Sequence, residues 1–268
     1  MSSTNYLDEL FATWSSISEL CEPLSESQWK TPTSCPGWTV QDIVSHLIGV
    51  ERVLTGLNST THRSSPRDYV KNAMGESNEH EVDSRRSLSG SEVLKEWNET
   101  SARRKADLVA ADKTYFEGEA RTPFGKATVA DLIEIRILDC WVHEQDIRRA
   151  LNIPGHDSGP AAEFTIDRLM RTLPIVIGKR AATPDGESVL FQITGPVHRS
   201  QWISVLNGRA AVVDSPPSII RTAFQLDSNT FLALATGRES VEATSTRWTA
   251  TGDSDLGLRI AQNLNMMI

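Results

Sequence analysis

Between Tyr6 and Leu20 the apolar side chains fall at Leu7, Leu10, Phe11, Trp14, Ile17 and Leu20, a spacing that predicts one amphipathic helix. A second helix is predicted from Thr39, carrying Val40, Ile43, Val44, Leu47, Ile48, Val53 and Leu54. Thr39 with Asp42 three residues later forms a capping-box pattern at its start. Between these helices, Thr31-Pro-Thr-Ser-Cys-Pro-Gly-Trp reads as a rigid loop, because the prolines fix backbone angles and Gly37 permits a turn. The stretch from Asn58 to Leu88 is polar, with Tyr69 and Val70 as its main apolar content, and is expected to be loop, partly mobile. Ser89 or Ser91 opens a third helix through Val93, Leu94, Trp97, Ala102 and Leu108. A turn at Phe124-Gly125 leads to Thr128, which caps a fourth helix with Asp131 and carries it to about Leu151, where Pro154-Gly155 stops it.

The second half changes period. One helix is predicted over Ala161–Ile177, then short strands at Ser188–Thr194, Trp202–Leu206, Ala210–Val213 and Arg221–Leu226, separated by Gly, Pro and Asp. Asn229–Ala235 and Asp253–Leu264 read as helices. The switch places a boundary near residues 152–160, hence two domains, 1–155 and 156–268, in an α+β chain.

Composition narrows the partners. A net charge of -8 over 268 residues, with lysines and arginines scattered, argues against nucleic acid and against anionic lipid. An anionic small substrate then needs local arginines. The first ten residues lack the apolar run of a signal peptide, and no window reaches the length of a membrane helix. Three cysteines, Cys21, Cys35 and Cys140, form no paired motif and fit a reduced, cytoplasmic protein. Cys140 points about 100° away from Asp139 on its helix and reads as core filling, and Cys35 as a structural loop thiol. His62, His80, His156 and His198 stand in polar surroundings and read as solvated. Trp14, Trp97 and Trp141 read as core.

The chemistry gathers elsewhere. His46 lies beside the buried stripe of the second helix, while Asp139 and His143, four apart, share one face of the fourth, continued by Asp146. Spacing leaves two readings open: a divalent metal site, or a core histidine and an ordinary Asp–His ion pair. Asp146 could orient His143 or simply pair with Arg148 or Arg149. Arg238, just after Gly237, could hold a substrate carboxylate or serve as a helix C-terminal cation.

Three segments carry a resemblance. Thr33-Ser-Cys-Pro-Gly-Trp-Thr-Val-Gln-Asp-Ile-Val-Ser-His-Leu, Asp139-Cys-Trp-Val-His-Glu-Gln-Asp-Ile-Arg-Arg-Ala-Leu, and Thr230-Phe-Leu-Ala-Leu-Ala-Thr-Gly-Arg with Gly252-Asp253 resemble, in order, the signatures of the mycothiol-dependent maleylpyruvate isomerase family. The resemblance implies a DinB-like four-helix bundle followed by a small α/β sterol-carrier-like domain. It implies that His46, Asp139 and His143 ligate a divalent metal, Zn first, with Ni, Co or Mn behind, and that mycothiol is the thiol cofactor. Asp139 stands where the family often has Glu. The expected function is metal-dependent thiol addition, transfer or cis-trans isomerisation on a small electrophile, with Arg238 and Asp146 assisting, in a monomer or homodimer. The alternative is a non-catalytic protein that binds metal and a small ligand.

Overall fold

In the computed structural model, which describes residues 3–122 and 125–266, the chain divides into two compact units, Met1–Gly155 and His156–Ile268. It is a mixed helix-and-sheet protein, helical in its N-terminal part and built on a sheet in its C-terminal part.

The first unit runs α1 (Ser3–Cys21), α2 (Glu26–Trp29), α3 (Val40–Leu54), α4 (Ala73–Asp83), α5 (Gly90–Ala110), α6 (Lys113–Glu117), β1 (Glu119–Thr122), β2 (Gly125–Thr128) and α7 (Val129–Leu151). The four long helices α1, α3, α5 and α7 are those the apolar spacing predicts. α1 packs on α7 and α5, and α3 packs on α5, α4 and α7. Their core is Leu10, Trp14, Ile17, Ile43, Leu47, Ile48, Trp97, Leu108, Ile137 and Trp141. Both expected capping boxes close: Thr39 accepts from the Asp42 amide, and Thr128 from the Asp131 amide. Ser89, not Ser91, caps α5 with Glu92. α7 ends on Asn152 in the left-handed conformation.

Two elements differ from the sequence reading here. The polar segment expected to be loop contains α4, capped by Asn72, and His80 lies on it rather than in a loop. The residues around the expected Phe124-Gly125 turn form an antiparallel pair, β1 with β2, in register from Glu119–Thr128 to Thr122–Gly125. Phe124 itself lies outside the described residues.

The second unit contains α8 (Pro160–Met170), a π-helical turn over Ile175–Arg180, β3 (Ser188–Thr194), β4 (Arg199–Leu206), β5 (Arg209–Val213), β6 (Ile220–Asp227), α9 (Ser228–Ala235), β7 (Trp248–Gly252) and α10 (Ser254–Gln262). The strands form one sheet in the order β5-β4-β3-β6-β7, antiparallel except for the central β3–β6 pair. Phe191 and Phe224 stack across that pair with ring centroids 5.4 Å apart, and Phe231 of α9 meets Phe191 edge-on at 5.7 Å. The helix expected over Ala161–Ile177 is instead broken. The chain turns at Arg171 and Thr172, and Pro174, which lacks an N–H, leads into the wider π turn. Strand β7 is an addition to the strands read from the sequence.

Candidate metal centre

The rigid loop before α3 is held by backbone bonds. Val40 N–H donates to Thr31 at 3.0 Å, Thr33 N–H to Trp38 at 2.9 Å, and Trp38 N–H to Cys35 at 3.0 Å. Gly37 has φ of +75°, and a Cβ there would fall 2.2 Å from the Tyr69 ring, so both conformation and space demand glycine. This turn presents Cys35 and Trp38 to the same region that His46 reaches from α3. The Trp38 ring lies 5.2 Å from that of His46 and 6.2 Å from that of His143, and its Nε1–H is anchored on buried Glu79 at 3.0 Å.

α3 and α7 bring His46, Asp139 and His143 together, with one donor atom from each within 4.8 Å of the others. His46 Nε2 is 3.4 Å from Asp139 Oδ2, and His143 Nε2 is 3.7 Å from Asp139 Oδ1. Nitrogen and oxygen donors held at about 2.0–2.1 Å from a tetrahedral ion stand roughly 3.4 Å apart, so each separation is close to one edge of a coordination shell, the two histidines facing different Asp139 oxygens. Both histidines are buried, and His46 Nδ1 has no hydrogen-bond partner among the described residues. Two imidazoles and one carboxylate in this spacing fit a divalent metal ion.

The surroundings set the charges. Burial alone would raise the Asp139 pKa, but Arg136, His143 and His46 hold its carboxyl well below the usual range. Burial pushes the His46 imidazole below its ordinary value, although Asp139 pulls the other way. For His143 burial also works downward, yet the carboxylates of Asp139 and Asp146, with Cys35, drive it up to about 10. Asp146, buried at 1% exposure, accepts from His143 Nδ1 at 3.1 Å. The alternative pairing coexists with this contact, since Arg149 reaches the other Asp146 oxygen at 3.5 Å, while Arg148 binds Glu144.

Three features were not foreseen. Arg136, fully within α7, donates to Asp139 Oδ2 at 2.6 Å, to Glu51 Oε1 of α3 at 2.8 Å, and contacts Cys140 Sγ at 3.3 Å. An arginine three residues before a candidate ligand on an apolar helix was the available signal. Cys140 is core, as read, with its thiol pushed up to about 12 by burial. Cys35, expected to be a purely structural loop thiol, instead donates to Asp146 Oδ2 at 3.3 Å and forms a second group of close donor atoms with His143 and Asp146. Trp38 is the third, as the ring beside both histidines.

Arg238 belongs to the second unit. It follows Gly237 at the end of α9, half-buried, and one guanidinium N–H donates to the Thr236 carbonyl at 2.9 Å, a helix C-terminal contact. Of the other histidines, His62 pairs with Asp83 at 2.6 Å and His80 Nδ1 meets Ser64, while His198 is exposed.

Residues 10–148, more than half of the chain, match the mycothiol maleylpyruvate isomerase N-terminal domain. The chain belongs to that family. Two curated relatives, uncharacterized proteins from two strains of Mycobacterium tuberculosis, are each 26% identical over 204 residues, covering 71% of this chain and 73% of theirs. Among solved structures, the chain is similar to the crystal structure of a mycothiol-dependent maleylpyruvate isomerase, with a TM-score of 0.57 and 14% identity over 94% of this chain and 93% of that one. A histidine-to-alanine mutant of that isomerase gives a TM-score of 0.56 with the same identity and coverage. At such identity these structures speak for the fold. No helix among the described residues is long and apolar enough to cross a membrane.

Proposed function

We propose that this family member is a metal-dependent enzyme that uses mycothiol to isomerise a small electrophile or to transfer the thiol onto it. The observation that carries the reading is the convergence of two buried histidines, His46 and His143, with the partly exposed Asp139 as a two-nitrogen, one-oxygen set. Three protein ligands leave positions open, which is the pattern of catalytic sites. Residues 1–155 form the metal-holding domain in this reading, and residues 156–268 a domain that contributes substrate recognition.

A divalent ion held there, zinc before nickel, cobalt or manganese, supplies Lewis acidity that lowers the pKa of a thiol brought to it. Mycothiol, the thiol that the family is named for, supplies the nucleophile; its departure or retention separates isomerisation from transfer. The chain's own residues prepare the site. Asp146 accepts a hydrogen bond from Nδ1–H of His143, which keeps the proton on that nitrogen and leaves the Nε2 lone pair on the side of Asp139. Arg136 holds Asp139 Oδ2, which leaves Oδ1 on the His143 side. Trp38 covers both imidazoles with an apolar ring and limits water. Arg238 binds a substrate carboxylate, the local cation that an acidic protein needs. The site operates in the cytoplasm, where the thiol pool is reduced.

The test is turnover of maleylpyruvate, followed by its ultraviolet absorbance, together with mass spectrometry for thiol conjugates of a reactive aryl halide. Mycothiol-dependent activity that is lost in His46→Ala and His143→Ala, at little cost in melting temperature, is the expected result. Arg238→Lys and Arg238→Ala should both raise KM for a carboxylate substrate while leaving stability unchanged. Activity indifferent to mycothiol, or intact in His46→Ala, would overturn the reading, and metal binding without any turnover would favour a non-catalytic binding protein.

A further inference from the structure

His143 stands between two sets of donors. Its Nε2 faces Asp139 at 3.7 Å, and its Nδ1 faces Asp146 Oδ2 at 3.1 Å, the same oxygen that accepts from the Cys35 thiol at 3.3 Å. One donor atom each from Cys35, His143 and Asp146 lie within 4.8 Å of one another, and all three residues are buried, with Cys35 at 7% and Asp146 at 1% exposure. We propose that Cys35, His143 and Asp146 form a second metal-binding station, selective for thiophilic divalent cations, that competes with the His46–Asp139–His143 set for the shared imidazole.

Geometry and charge both support this. Sulfur and oxygen ligands at about 2.3 and 2.0 Å from a tetrahedral ion stand roughly 3.5 Å apart, close to the Cys35–Asp146 separation. A thiolate and a carboxylate neutralise a dication completely, whereas His46, Asp139 and His143 bring one negative charge among them. Arg136 further offsets that one charge by its 2.6 Å bond to Asp139. Near the second set, Arg149 stands 3.5 Å from the other Asp146 oxygen, with its side chain 30% exposed to solvent. Soft thiolate favours cadmium over manganese, while borderline zinc accepts either ligand set.

The proton balance is simple. Coordination displaces the Cys35 S–H proton to solvent, and the His143 proton moves from Nδ1 to Nε2, where Asp139 accepts it. A neutral imidazole has one lone pair, so His143 serves one station at a time. The total remains one ion per chain, and the softness of the ion decides where it sits.

The experiment adds cadmium to the metal-free, phosphine-reduced protein with no other thiol present. A sulfur-to-cadmium charge-transfer band in the ultraviolet is expected at one equivalent. It should persist in His46→Ala, and in Cys35→Ser it should vanish while cadmium affinity falls at least about tenfold. Manganese should produce no such preference between wild type and Cys35→Ser. X-ray absorption at the cadmium edge of the unaltered protein requires no variant to fold, and should count one sulfur neighbour. A shell without sulfur, or a band that survives Cys35→Ser, overturns the proposal. No mycothiol enters this measurement, so its outcome is independent of whether the thiol-dependent reaction proposed above takes place.

Discussion

Asp146 is the residue on which the proposed centre turns. It is almost fully buried, holds the Nδ1 side of His143, and accepts the Cys35 thiol. An asparagine keeps its shape and one acceptor oxygen but removes the charge that draws the His143 proton to Nδ1. Partners of this kind alter metal affinity by about 10–100-fold. Asp146→Asn is therefore expected to weaken zinc binding by that factor in a chelator competition, with helicity by circular dichroism unchanged. Equal affinity in both proteins would reduce Asp146 to a partner of Arg149. The same residue shows how far sequence reasoning reaches. Asp139, His143 and Asp146 fall on one helical face by simple periodicity, and the motif around His46 named the fourth participant. Cys35 could not be joined to Asp146 in that way, because 111 residues separate them and no spacing rule connects a loop thiol to a distant helix.

At the scale of elements, a helix was legible where its buried face is apolar and hidden where that face is charged. Thr39 and Thr128 announced α3 and α7 through their capping boxes. α4 gave no such signal, since its buried residues are Glu79, Glu81 and a single valine, Val82. Ion pairs fix it in place of apolar packing: Arg86 binds Glu79, Asp83 and Asp42, and Tyr69 donates to Glu79. The β1–β2 pair was hidden because its residues are largely exposed and its strands have four residues each. An element held by charge should respond to pH. Asp83 sits below the ordinary aspartate pKa, first because His62 hydrogen-bonds it, then through Arg86, with burial opposing. A depressed folded pKa gives stability that is present above the unfolded value, about 3.9, and is lost as pH falls through the folded one. Asp83→Asn should therefore lower the melting temperature at neutral pH, by an amount worth about 1 kcal/mol or less because His62 is 44% exposed and screened. The gap to wild type should close in acid; a gap that persists there would point to a role other than charge.

The whole molecule consists of two units, each with its own buried core. The proposed ligands all lie in the first, and the five-stranded sheet in the second. A fragment of residues 1–155 should then fold, keep its helical signal, and bind one zinc ion as tightly as the full chain, checked by calorimetry. A fragment that binds metal far more weakly would show that the second unit completes the site. The sequence changes hydrophobic period near residues 152–160, and Arg238 stands out in it by its place in the third resembling segment as well as by its helix end.

The 111 residues between Cys35 and Asp146 also bear on synthesis. At roughly 5–20 residues per second, a ribosome that has made the Cys35 loop needs about 6–22 s more to reach Asp146. During that interval Cys35 and His46 exist without their partners on α7, so a nascent chain offers a thiol and an imidazole but no closed coordination set. The ion can be captured in full only once α7 has emerged, which places metal loading at the end of the N-terminal unit's production. Scarcity of metal in the cell would then be felt only after the N-terminal unit has been made.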